Sequence, residues 1–78
     1  MEIGSVVVNK TGKEKTKFFA VTGFDESFCF LANGRDRKLD KPKKKNLRHV
    51  QETRTILDAD QMESDKALWE ALKSFVSE

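Results

Sequence analysis

A change of hydrophobic period partway along the chain limits its folds more than any single residue does. Residues 1–53 carry short apolar runs broken by turn residues, whereas the last third repeats its apolar residues about every 3.6 positions. Short strands followed by one amphipathic helix are therefore expected. In 78 residues that pattern leaves room for one core, built from a small sheet and the helix packed on it.

The strands are read from local chemistry. Residues 3–9 contain Val6, Val7 and Val8, β-branched residues suited to a pleated surface, and end where Asn9-Lys10-Thr11-Gly12 supplies a turn. Phe18–Phe24 and Phe28–Ala32 form two further runs, and Asp25-Glu26-Ser27 between them is spaced for a hairpin. Asn33-Gly34 is the dipeptide best able to take positive φ in a type I′ turn, so residues 35–39 are expected to return as a fourth strand. Pro42 lacks an amide hydrogen and breaks the ladder there, and residues 46–53 read as a fifth strand, or a strand plus a turn.

In the helix Leu68, Leu72, Phe75 and Val76 fall on one stripe beside Ala67 and Ala71, opposite Lys66, Glu70, Lys73 and Ser77. Asp60 with Glu63, or Ser64 with Asp65, supplies the amino-terminal cap, placing the start between residues 61 and 65. So short a helix is marginal alone in water and should dock on the strands. Residues 1–56 are then expected to hold five strands, and residues 57–78 an acidic linker and helix of the same domain.

Charge divides the same way. Residues 1–56 hold 13 Lys/Arg against 7 Asp/Glu, and residues 57–78 hold 2 against 6. Residues 35–48 alone hold 8 positive and 2 negative side chains, which makes a polyanion the expected partner. Lys41-Pro42-Lys43-Lys44-Lys45-Asn46-Leu47-Arg48-His49 reads as a loop of concentrated charge, with Arg35, Arg37 and Lys38 leading into it. Each lysine can neutralise one phosphate and release a counterion, giving salt-dependent affinity with little dependence on base sequence. A solvated loop that merely aids solubility is the plainer alternative.

Aromatic rings are the second ingredient of RNA recognition, because any base can stack on an exposed ring. Phe18 and Phe19 must point to opposite faces, and Phe28 and Phe30 share a face opposite Cys29 and Leu31. Leu68, Trp69, Leu72 and Phe75 of the helix are expected to bury one or more of these rings. A ring left bare beside the lysines would be a stacking platform.

No catalytic constellation is expected. His49 is the one histidine and no nucleophile or ordered acid accompanies it, while Asp25 and Glu26 point apart in their turn. Cys29 lies mid-strand, where a buried, inert thiol is the default. With one cysteine, no zinc spacing and no phosphate-cradling glycine loop, no metal, cofactor or small-molecule substrate is expected. The lone cysteine and the lack of an amino-terminal apolar run point to the cytoplasm and to no membrane association.

The order of these features resembles the KOW family. Gly4-Ser5-Val6-Val7, Gly12-Lys13-Glu14-Lys15 and Lys17-Phe18-Phe19-Ala20-Val21 are similar to its strand, basic glycine loop and returning strand. Leu31-Ala32-Asn33-Gly34, Arg37-Lys38-Leu39 and the lysine-proline segment are similar to short bacterial KOW proteins akin to the fourteenth large-subunit protein of archaeal and eukaryotic ribosomes. The resemblance covers residues 2–53. It implies an SH3-like barrel that binds RNA, with ribosomal RNA the expected partner and ribosomal proteins as further neighbours. Carried onto this chain, it puts Lys10, Gly12, Lys13, Lys15 and Lys17 in one contact loop. It makes Lys43, Lys44, Lys45 and Arg48 a second anchor, and the charge pattern adds Arg35, Arg37, Lys38, Lys41 and His49 to the expected RNA contacts. Thr16 departs from the pattern: it stands where the family's hallmark glycine falls, so the unusual φ that glycine permits is not implied there. An SH3-like protein-interaction module without RNA binding is the alternative, since this fold also hosts peptide sites.

Overall fold

The computed structural model describes residues 1–10 and 17–76. Five strands, β1 (Ser5–Asn9), β2 (Phe18–Phe24), β3 (Phe28–Ala32), β4 (Lys43–Asn46) and β5 (Val50–Ile56), precede one helix, α1 (Asp65–Val76). They form one antiparallel sheet in the order β4-β3-β2-β1-β5. The expected barrel is not closed, because β4 and β5 remain the two edges of an open sheet.

β1 lies between buried side chains on both faces of the sheet, which explains the unbroken Val6-Val7-Val8 run. Register places Val6 opposite Ala20 and Ala20 opposite Ala32, so these three share a face. Leu57, Leu68 and Leu72 close over that row, and Phe18, Leu39, Met62, Ala71 and Phe75 pack around it. The Phe18 and Phe75 ring centroids lie 5.3 Å apart, so the helix does cover one of the strand aromatics. On the other face Val7, Phe19, Val21, Cys29, Leu31 and Val50 form a second core, against which Met1 and Leu47 pack. Burial pushes the Cys29 thiol above its ordinary pKa, as expected of an inert buried sulfur.

Local chemistry builds the β2–β3 hairpin as anticipated. Asp25 Oδ1 accepts the amides of Ser27 and Phe28, each at 2.8 Å. Those two bonds hold its carboxyl below the usual 3.8.

The next turn departs from expectation. Residues 35–39 form no strand. The Asn33 side chain accepts the amides of Arg35 at 2.9 Å and Arg37 at 3.0 Å. The amides of Asn33 and Gly34 both donate to the Arg37 carbonyl. An Asx side chain thus satisfies the backbone locally in place of a ladder. Gly34 has φ +81° and lies against the Asp65 carbonyl, and Leu39 N–H donates to Asp65 Oδ1 at 2.8 Å. The loop is shaped by the helix it supports.

The fourth strand therefore comes from the lysine run, which was expected to be a loop. Lys43, Lys44 and Lys45 pair with Leu31, Phe30 and Cys29. Lysines on an edge strand also discourage pairing with another chain. A single 3₁₀ turn, Leu47–His49, then separates β4 from β5, so the fifth strand starts at Val50 and runs to Ile56. Leu47 N–H donates to the Ser27 carbonyl and His49 C=O accepts from Lys10 N–H, so this turn crosses from the β2–β3 hairpin to the end of β1.

At the helix start, Ser64 Oγ accepts the Ala67 amide at 3.1 Å, making Ser64 the cap. Ser64→Ala is expected to cost about 1 kcal/mol, read as a lowered urea midpoint with unchanged slope. No loss would show that the helix needs no cap here.

Candidate functional site

The antiparallel meander gathers the cations. Val8 lies opposite Phe18, Ala20 opposite Ala32, Leu31 opposite Lys43 and Asn9 opposite Val50. The end of β1, the start of β2, the loop between β3 and β4, and the start of β5 therefore share one end of the sheet. Lys10, Lys17, Arg35, Arg37, Lys38, Lys41 and Lys43 come to that end beside the His49 imidazole, with Arg48 in the adjoining turn. Lys10, Lys17, Arg35, Lys38, Lys41, Lys44, Arg48 and His49 are exposed, while Arg37, Lys43 and Lys45 are half-buried. Gly12, Lys13, Lys15 and Thr16 lie outside the described residues.

A backbone link joins the two basic segments, the 2.8 Å bond from Lys10 N–H to the His49 carbonyl. Other cations are held by partners that sequence does not show. Lys17 Nζ bonds Asp36 Oδ2 at 3.0 Å, both side chains nearly half exposed. The Lys17 ammonium, chiefly through that bond, holds the Asp36 carboxyl below its ordinary pKa. This pair ties the start of β2 to the β3–β4 loop. The Arg35 guanidinium stacks over Trp69 at 5.2 Å from the ring centroid, which orients it but leaves its edge available.

Strand geometry splits the lysine triplet. Lys43 and Lys45 share the face of Leu31 and Cys29, and Lys44 takes the opposite face, beside Phe30. The three ammonium groups cannot act as one loop finger. Lys44 Nζ instead lies 4.3 Å from the centroid of the Phe28 ring.

Just inside the cationic end, Asn9 is 1% exposed and its Oδ1 and Nδ2 have no hydrogen-bond partner among the described residues. In sequence Asn9 reads as turn chemistry, and nothing local signals that it is buried. Among the described residues no group of three His, Cys, Asp or Glu side chains could hold a metal ion. No helix among them is long and apolar enough to cross a membrane.

No known protein-family model matches this chain. Its chemistry is therefore read from the site itself, which offers dispersed cations around a sheet end, guanidinium and ammonium donors held at fixed positions, and half-buried rings on β3.

Proposed function

We propose that this chain is a non-enzymatic RNA-binding module of the KOW type, acting on ribosomal RNA or elsewhere in translation in the cytoplasm. The observation that carries the reading is the convergence at one end of the sheet of exposed cations from four separate segments of the chain. Phosphates spaced along a folded RNA match positive groups dispersed over a surface better than any compact anion does. The SH3-like part of the reading draws support from the strand order β4-β3-β2-β1-β5 and the single 3₁₀ turn before β5. The acidic helix packs on the Val6, Ala20 and Ala32 row and meets the cationic end at its own start, where Asp65 accepts the Leu39 amide and Trp69 lies under Arg35.

Salt tests the proposal. Binding of a fluorescently labelled, structured ribosomal RNA fragment, followed by anisotropy between about 50 and 200 mM salt, should weaken with a steep log–log slope. Lys43→Ala/Lys44→Ala/Lys45→Ala should lower that slope by about 2–3, just under one unit for each of the three lysines that no longer neutralises a phosphate. Absence of binding to every RNA tested at low salt would overturn the reading. A peptide-binding module would instead use the exposed Ile3, Phe24 and Ile56, which lie at the opposite end of the sheet, and would show no such salt dependence.

A further inference from the structure

The helix covers only half of its face of the sheet. Phe28 and Phe30 alternate with the fully buried Cys29 and Leu31, so they point toward the helix side. The helix, however, closes over the Val6, Ala20 and Ala32 row. Phe28 and Phe30 lie farther along β3, half-buried and outside both cores.

Three neighbours shape that uncovered half. On the β2 side the residue opposite Phe30 is Gly23. A Cβ built there would be 3.8 Å from Phe30 Cδ2, so the ring lies over a residue without a side chain. On the β4 side Lys44 lies opposite Phe30 and Asn46 opposite Phe28, with the Lys44 ammonium over the Phe28 ring. Beyond Phe28 the β2–β3 turn opens into a concavity of about 400 Å³ lined by Asp25, Glu26, Ser27 and Phe28. The result is a shallow aromatic shelf with one positive charge, Lys44, at its β4 margin and negative charge at its turn margin.

We propose that Phe28 and Phe30 are a stacking shelf for two unpaired RNA bases, with the strand's phosphates running along β4 past Lys44; this rests on the RNA-binding reading above. The two rings are two residues apart on an extended strand, about 7 Å. That is about twice the 3.4 Å rise of stacked bases, so each ring takes one base of an extended strand. The charge gradient sets polarity across the shelf: phosphates are drawn to Lys44 and repelled by Asp25 and Glu26. Lys44 leaves the ring to meet a phosphate when a base replaces it, exchanging one cation–π contact for an ion pair.

The test compares three labelled probes by anisotropy: a single-stranded uridine decamer, a decamer of the same backbone lacking bases, and a blunt duplex of equal charge. The shelf predicts that the uridine decamer binds about tenfold tighter than the abasic one. Phe28→Leu/Phe30→Leu keeps apolar bulk and should erase that preference while leaving the salt slope unchanged. Lys44→Ala should lower the slope by about one. Chemical-shift changes at the Phe28 and Phe30 ring protons of the unmutated protein give a readout that does not depend on the variant folding. Equal binding of the uridine and abasic decamers, or ring protons unmoved at saturation, overturns the shelf and leaves the RNA reading standing. No binding to any of the probes or to the structured RNA overturns both.

Discussion

Gly34→Ala is expected to lower the stability of this chain by about 2–5 kcal/mol, combining the cost of a left-handed conformation for an L side chain with that of overpacking. Gly34 has φ +81°, a region that penalises any Cβ. The added Cβ would collide with the Asp65 carbonyl oxygen and lie 3.0 Å from Asp65 C and Trp69 N. All three are helix backbone atoms, which cannot rotate aside as the tip of a lysine could. Relief therefore requires the helix start and the β3–β4 loop to separate. That would break the Leu39–Asp65 bond and displace Arg35 from Trp69. A chain of 78 residues has roughly 4–12 kcal/mol of stability in total, so the loss is a large share of it. Urea unfolding followed by Trp69 fluorescence measures it, and a change under about 0.5 kcal/mol would show that the loop is not seated on the helix as described. The RNA binding proposed above should weaken as well, because residues 35–41 lose their anchor.

Leu68→Ala should cost about 2–5 kcal/mol by leaving a cavity between the helix and the sheet. Leu68 is fully buried in the core formed with Val6, Ala20, Ala32, Leu57 and Leu72. Here the sheet, more than intrinsic propensity, holds a helix of 12 residues. The expected signature is a lower urea midpoint together with a red shift of Trp69 emission, since the ring under Arg35 becomes wetter as the helix loosens. Lys66→Ala, on the exposed side, is the control and should stay within about 0.5 kcal/mol. Equal effects at the two positions would mean that the helix does not dock through this stripe.

Much of the framework is legible in the residues because it is locally encoded. β2 and β3 have the bounds their apolar runs suggest, since Asp25 closes the hairpin with its own side chain. The helix follows its stripe, and of the two possible caps Ser64 is the one used. Asn33-Gly34 is the instructive misreading. The dipeptide has the chemistry of a tight hairpin turn, and positive φ is realised at Gly34, but contact with Asp65 turns it into a wider loop. The lysine run misleads for the converse reason. Lysine is a weak strand former, yet an edge position beside Phe28–Leu31 lets ladder pairing and the apolar stems of the side chains outweigh propensity.

Sequence by itself determined the supply of positive charge, the alternation of Phe28 and Phe30 with Cys29 and Leu31, and the switch from strand to helix. These depend only on residue type and on the periods of two regular backbones. Tertiary structure decided which cations meet, that Lys17 is paired with Asp36, that the lysine triplet is divided between two faces, and that two rings stay half-buried outside the core under the helix. Each of these follows from strand order and register, which bring residues distant in sequence to one end or one face. No local interaction encodes that placement.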